Sequence, residues 1–298
     1  MKLWCFNDKQ SKWGRMLFLA ARQRGIDAEL FGHPRQVTGP GYMFYRMEQG
    51  NDGTQRRHAL TVLDKPGIIG VQSRSDIREY EDKVRQIDTY RRWMPETRLV
   101  FQQKDSALAA DALGFPFISK SRSGSASGSV RVIPDMKSAL VEADAVFGDG
   151  LVTSREVQKD YLLWQKFFRN EHVYRVVRIG NWYWMLRVFN RPNSPLASGS
   201  GRFEPVIPDT YVKREVLSTA VKFFDAARTK WCGIDLLYDG SEWKVLETTL
   251  AWDLHSRGAN VDCPVFDRNG VLPTAGWTGA HQFEILLREI ERGVFDGT

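Results

Sequence analysis

Apolar and polar positions along the chain repeat with two periods, and the switches between them mark the elements. Lys2 to Phe6 is a short apolar run that predicts a strand. Trp13 to Arg24 carries Leu17, Phe18 and Ala21 at helical spacing and stops at Gly25; Ala28 to Phe31 reads as a second strand. This β-α-β opening predicts an α/β lobe. Residues 32 to 58 are rich in Gly, Pro and Arg and read mainly as loop, and Gly67 to Val71 is a third strand. Ile77 to Met94 sets Val84, Ile87, Tyr90 and Trp93 at helical spacing, which predicts one long helix stopped by Pro95.

Beyond Pro95 the elements are shorter. Leu99 to Phe101 reads as a strand, and Asp105 as the cap of a helix over Ser106 to Leu113 that ends at Gly114. Phe115 to Ser119 and Ser129 to Ile133 flank a stretch of almost nothing but Gly, Ser and Ala. Strand, glycine loop, strand predicts a hairpin rather than a strand feeding a helix. Pro134 opens a helix through Ala145, and Tyr161 to Phe168 is a strand. Tyr174 to Ile179 and Trp182 to Phe189 form a hairpin around Gly180-Asn181. Pro192 to Gly201 is a loop and Tyr211 to Thr229 a helix. Ile234 to Tyr238 and Trp243 to Leu246 form a second hairpin around Asp239-Gly240, and Phe283 to Glu291 is the last helix.

Composition narrows the class. A chain of 298 residues, 42% hydrophobic and 26% charged, has the balance of a globular protein with a sizeable core. It has no apolar run long enough for a transmembrane helix, and its first residues meet charge at Asp8 and Lys9, too early for a signal-peptide core. Cys5, Cys232 and Cys263 are odd in number and far apart, which argues against a disulfide framework and a zinc site. The cytoplasm is the expected compartment. The net charge of +6 is dispersed, with Arg56-Arg57 and Arg91-Arg92 the densest pairs. Such an excess suits phosphate-bearing ligands from nucleotides to nucleic acid, or forms a solvated basic surface.

The candidate chemistry falls in three places. In "GFPFISKSRSGSASGSV" Lys120 ends a strand and a loop with Ser123, Gly124, Ser125 and Gly128 follows. Bare backbone N–H groups and a mobile cation suit phosphate oxygens; a flexible surface hairpin is the plain alternative. The lysine precedes the glycines, so this is not a Walker loop, and no helix follows as in a dinucleotide fingerprint. In "CGIDLLYDGSEWKVLETTLAWDLHS" Asp235 and Glu247 lie on the two arms of a hairpin, where antiparallel pairing can set two carboxylates on one face to hold a hard divalent ion. Third come the strand arginines Arg175, Arg178 and Arg187, then Arg202 after "ASGSG". A phosphoryl-transfer site needs cations where charge develops, and arginines on a solvated sheet face are the plain alternative for any one of them.

The order of these features resembles the ATP-grasp superfamily, glutathione synthetase-like ligases in particular. The resemblance covers roughly residues 95 to 257, and the β-α-β start looks like that family's preceding substrate lobe. "PETRLVFQQKDSALAADALGFPFISKSRSGSASGSVRVI" is similar to the first ATP-binding stretch, with Lys104 as the lysine after the first strand and Lys120 as the one before the glycine loop. "YLLWQKFFRN" is similar to the hinge lining the adenine pocket, here Gln165, Lys166, Phe167 and Phe168. In "EHVYRVVRIGNWYWMLRV" Arg175 takes the place of a phosphate-contacting arginine and Arg187 that of a later one. "PLASGSGRFEP", which holds Arg202, is similar to the small-residue loop that meets nucleotide and acyl phosphates. The last hairpin is similar to the metal-binding one, with Asp235 and Glu247 as ligands and Thr249 where the family usually has Asn. A threonine hydroxyl is a weaker ligand than an amide oxygen.

The resemblance implies an α+β ATP-grasp fold, two subdomains clamping ATP, preceded by an α/β N-terminal lobe. The divisions are 1–75 for the lobe, 76–168 for the first subdomain with the glycine loop, and 169–298 for the second with the metal hairpin. It implies ATP and one or two Mg2+ ions as cofactors. It also implies a reaction in which a carboxylate is activated as an acyl phosphate, with release of ADP, and joined to an amine or, more rarely, a thiol. A kinase acting on a hydroxyl would use the same nucleotide residues, and a weakly active nucleotide-gated binding protein is a third reading. Ten tryptophans among arginines permit base stacking, so nucleic acid stands as a partner that is not favoured. No membrane partner is expected, and a homo-oligomer is compatible with the sequence. Substrate contacts are expected from residues 32–58, 191–203 and 252–262, including Trp252, Asp253, His255 and Arg257.

Overall fold

A computed structural model describes residues 1–6, 12–45, 53–80, 82–123, 130–153, 157–190, 202–250 and 263–296. The chain opens with β1 (Lys2–Phe6), α1 (Lys12–Gln23), β2 (Asp27–Phe31), β3 (Gly41–Phe44), α2 (Thr54–Leu63) and β4 (Ile68–Gly70). These strands form one sheet in the order β2-β1-β3-β4, and every pairing in it is parallel. The α/β lobe is therefore present, but its third strand falls in the stretch read from sequence as loop. β3 has only four residues, two of them the fully buried Met43 and Phe44, so its apolar signal is swamped by the Gly and Pro around it.

The expected long helix is two helices, α3 (Arg74–Glu79) and α4 (Lys83–Tyr90), followed by a 3-10 turn over Arg91–Trp93. Tyr80 leaves helical space at φ −57°, ψ 127°. Asp82 then caps α4 by accepting the Arg85 N–H at 3.2 Å. Apolar spacing alone does not see this restart, because Ile77, Ile87 and Tyr90 are buried on either side of it.

Next come β5 (Thr97–Val100), α5 (Ser106–Leu113), β6 (Phe117–Lys120), β7 (Val130–Ile133), α6 (Met136–Phe147), the short pair β8 (Leu151–Val152) and β9 (Val157–Gln158), and β10 (Leu162–Lys166). The order β5-β10-β6-β7 is antiparallel throughout, and β6 and β7 make the expected hairpin. Phe117, Leu162 and Trp164 are buried with Ala110 and Leu113 of α5 and Ala139, Ala143 and Val146 of α6. Asp135, not Pro134, starts α6, its carboxylate accepting the Ser138 N–H at 2.8 Å.

The remainder is β11 (His172–Ile179), β12 (Trp182–Phe189), β13 (Phe203–Val206), α7 (Tyr211–Ala227), β14 (Trp231–Tyr238), β15 (Trp243–Thr249) and α8 (Gln282–Glu291). Its sheet runs β13-β12-β11-β14-β15, also antiparallel. The edge strand β13, with Pro205 in it, has no alternation in sequence and was not foreseen. One face packs on α7 and α4 through Val176, Ile234, Phe223, Phe224 and Ile87. The other meets the N-terminal lobe and α8 through Trp231, Leu186, Phe44 and Ile285. Trp4, Trp164, Trp184 and Trp231 have no exposed surface, so these four are core and not base-stacking platforms. No helix of the described residues is long and apolar enough to cross a membrane.

The two lobes meet on Trp231. Its ring lies edge-on to Phe44 at 5.0 Å and to Trp13 at 6.1 Å, and its indole N–H donates to the Leu250 carbonyl at 3.2 Å. Trp231→Ala is expected to cost about 3–5 kcal/mol. Urea unfolding measures it, and a loss below about 1 kcal/mol would show that the lobes do not depend on this contact.

Candidate active site

β6 delivers Lys120. Lys120 faces Leu163 across to β10, and Ile118 faces Gln165, so these four share one face of the small sheet. The alternate residues, Phe117, Ser119 and Trp164, turn to α5 and α6. Lys120 is 7% exposed and donates to Oε1 of Gln165 at 2.8 Å; Nε2 of Gln165 donates to Oγ1 of Thr97 at 2.9 Å. Burial pulls the Lys120 ammonium down to about 8, Glu247 and Asp235 push it back up, and Lys83 pushes it down. Lys120 thus feels the charges of the large sheet and of α4 together.

The hairpin of β14 and β15 supplies the carboxylates. Asp235 pairs directly with Glu247, and Gly233 with Thr249, so Asp235, Glu247 and Thr249 share a face. The register shifts by one residue between Asp235 and Leu236, a β-bulge that leaves Leu246 as the extra residue. On the other side Asp235 pairs with Arg175 of β11. The guanidinium grips the carboxylate with both arms, Nε to Oδ1 at 2.7 Å and Nη2 to Oδ2 at 2.8 Å. Arg175, Asp235 and Glu247 therefore form a row across three strands.

α4 brings a lysine that the sequence reading passed over. Lys83 is nearly buried and its Nζ lies 3.9 Å from Oε2 of Glu247. The signal was the pair Asp82-Lys83, a cap followed by a basic first residue, hidden inside what read as one continuous helix. The same Asp82 anchors the base of the glycine loop: Arg122 donates to it from Nε at 2.9 Å and Nη2 at 2.8 Å. The Lys83 N–H donates to the Arg122 carbonyl at 2.9 Å. The Ser123 carbonyl accepts from Oγ of Ser121 at 2.6 Å, while Gly124, Ser125 and Gly128 lie outside the described residues.

The remaining expected residues are placed elsewhere. Lys104 sits exposed in a 3-10 turn over Gln103–Asp105, beside α5 and α6 and behind the sheet that carries Lys120. Arg187 pairs with Tyr174 and so points to the opposite face of the large sheet from Arg175. There it stacks on Tyr174 and Phe189, each at 5.8 Å, and meets Glu204 at 3.3 Å. Arg202 is exposed, 4.8 Å from the Phe189 ring. Arg178 is structural, bound to the Gly180 carbonyl and to Asp225. In the hinge, Lys166 is exposed, its N–H donates to the Glu96 carbonyl at 2.9 Å, and its ammonium lies 5.8 Å from the Phe168 ring; Phe167 and Phe168 are half-buried. Residues 191–201 and 251–262, with Trp252, Asp253, His255 and Arg257, lie outside the described residues.

Ile87, Met94, Leu163 and Leu246 line a narrow cleft together with Lys83, Lys120 and Gln165. It offers an apolar wall at one side and cations at the other. For a metal, the donors are two carboxylates and a hydroxyl, hard oxygens without sulfur or imidazole, and among the described residues no cluster of three His, Cys, Asp or Glu exists. That set suits Mg2+, which completes its shell with water and phosphate oxygens, and does not suit zinc.

No protein-family model matches the chain, and no curated protein matches it. Solved structures do. A RimK domain ATP-grasp protein from Sphaerobacter thermophilus aligns over 84% of this chain and 91% of its own, with 18% identity and a TM-score of 0.60. The D-alanine–D-alanine ligase of Bacillus anthracis, in complex with ATP, aligns over 100% and 98% at 13% identity and a TM-score of 0.62. The ATP-grasp ligase PsnB, complexed with a minimal precursor, Mg and ADP, aligns over 98% of both chains at 13% identity and a TM-score of 0.60. These likenesses run nearly end to end at identities that speak for architecture and not for substrates: the chain has the ATP-grasp fold.

Proposed function

We propose that the cleft binds ATP with Mg2+ and that the protein is an ADP-forming ligase, joining a carboxylate to an amine or similar nucleophile. The observation that carries this reading is the row Arg175, Asp235, Glu247, with the Lys83 amine 3.9 Å from Glu247 and the buried Lys120 amine within electrostatic reach of both carboxylates. Three cations face two carboxylates there, a balance that favours an anion carrying its own metal. The complexes of the D-alanine–D-alanine ligase with ATP and of PsnB with Mg and ADP support the choice of ligand.

In the proposed reaction a substrate carboxylate oxygen attacks the γ-phosphorus, the bond to the bridging oxygen breaks, and ADP leaves. The nucleophile then adds to the acyl carbon, the carbon–oxygen bond breaks, phosphate departs and the nucleophile gives up a proton. Lys83 and Lys120 neutralise phosphate oxygens, Gln165 holds the Lys120 ammonium in place, and Arg175 fixes both oxygens of Asp235. Mg2+ held by Asp235 and Glu247, with Thr249 beside them, would draw off charge as it builds on the phosphate. Ile87, Met94 and Leu163 line the apolar part of the same narrow cleft. No protein nucleophile is required, which agrees with the thiols: burial pushes Cys5, Cys232 and Cys263 up, away from thiolate character at neutral pH. Arg187 and Arg202 receive no role at the phosphates, since one faces away and the other is at the surface.

Lys120 gives a proton-linked signature. Its pKa of about 8 in the free protein lies below the ordinary 10.5, so near pH 8.5 the folded protein has partly lost a proton that the unfolded chain keeps. The free protein therefore gains stability as pH rises through that interval. Phosphate beside the amine raises its pKa again, so nucleotide binding at about pH 8.5 takes up a proton and weakens as pH rises further. Calorimetry in buffers of different ionisation enthalpy is expected to show this uptake in the wild type and not in Lys120→Met. Equal proton counts in the two would place the phosphates away from Lys120.

Glu247→Gln removes one of the two negative ligands and is expected to lower turnover by about 100-fold or more at unchanged fold, read by ADP release and circular dichroism. Thr249→Asn is expected to leave turnover unchanged or raise it. Hydroxylamine added during turnover should yield a hydroxamate of the carboxylate substrate together with ADP and free phosphate. A stable phosphorylated product without free phosphate would identify a kinase instead.

A further inference from the structure

β15 is the edge of the large sheet, and Thr248, between Glu247 and Thr249, turns both its N–H and its carbonyl away from β14. An edge strand normally leaves such groups to water. Here the side chain of Gln86 takes both. Its Oε1 accepts the Thr248 N–H at 3.1 Å and its Nε2 donates to the Thr248 carbonyl at 3.1 Å. The second N–H of the same amide donates to the Glu79 carbonyl at 3.0 Å. Gln86 is 2% exposed, so both of its donors and its oxygen are committed out of water. It pairs with Thr248 as a strand would, but from a helix one turn beyond Lys83.

We infer that Gln86 is a positioning residue for the metal ligands, a role that rests on the proposed Mg2+ site. The two side chains flanking Thr248 belong to Glu247 and Thr249, and the bulge between Asp235 and Leu236 has already loosened this part of the hairpin. A bulged edge strand has rotational freedom that hydrogen bonds from one side do not remove. The two-point grip of Gln86 on the backbone between the ligands removes it and holds both on the face of Asp235. The same grip sets the distance from β15 to α4, and with it the place of Lys83 against Glu247. Aliphatic side chains of similar size fill the space but cannot pair with Thr248, and glutamate offers acceptors where two carbonyls need donors.

The test uses the full chain with ADP and Mg2+ as probes. In the wild type, ADP binding should tighten with Mg2+. In Gln86→Leu the Mg2+ concentration for half-effect on ADP binding should rise about tenfold or more. The Thr248 amide should also lose its protection from hydrogen exchange. Gln86→Glu should give the same Mg2+ shift, and it takes over the test if Gln86→Leu does not fold. An unchanged Mg2+ requirement in folded variants, against a clear requirement in the wild type, overturns the role of Gln86 and leaves the site reading intact. Absence of any Mg2+ effect in the wild type overturns the site reading and this inference with it.

Discussion

The hairpin of β14 and β15 is set from its turn. Tyr238 faces Trp243, Leu237 faces Lys244, and Leu236 faces Val245. Continued without interruption, that register would set Asp235 against Leu246 and turn Glu247 to the opposite face of the sheet, because side chains alternate along a strand. The single extra residue prevents this. Leu246 is absorbed in the bulge, Glu247 comes opposite Asp235, and Thr249 falls on the same side. Two carboxylates and a hydroxyl converge because of one inserted residue, and Arg175, Lys83 and Lys120 are arranged around the result.

Two neighbouring carboxylates repel each other, and a buried ammonium is costly to keep charged. Each offsets the other here. Lys120 loses affinity for its proton through burial and regains part of it from Glu247 and Asp235. Asp235 is held by a two-armed contact from Arg175, and Glu247 has Lys83 near it. Gln165 gives Lys120 an oxygen to bond in the free protein. The charges are therefore mutually supported within the protein itself.

Much of this was legible in the sequence. The strand-glycine-strand hairpin and the placing of Asp235 and Glu247 on the two arms of one hairpin follow from apolar runs and turn residues, which are local signals, whereas their direct pairing depends on the bulge. What was missed depends on tertiary context. β3 is four residues long and is a strand because β1 and β4 flank it. The restart of the helix at Lys83 rests on the Asp82 cap, and apolar spacing continues through the break as though nothing happened. Lys104 had the right residue type next to a strand, but the 3-10 turn puts it outside. Arg187 stands one residue out of phase with Arg175 across the β11–β12 pair, and period-2 alternation does the rest.

The break between α3 and α4 has a consequence for how the site is held. Asp82, buried at the restart, caps α4 and also receives Arg122 from the base of the glycine loop. Lys83, the next residue, and Gln86, one turn further on, reach β15. The loop base, the first turn of α4 and the carboxylate strand are thus linked through contiguous polar contacts, although they come from three separate parts of the chain. The restart therefore lets one short helix hold the loop base and the carboxylate strand at the same time.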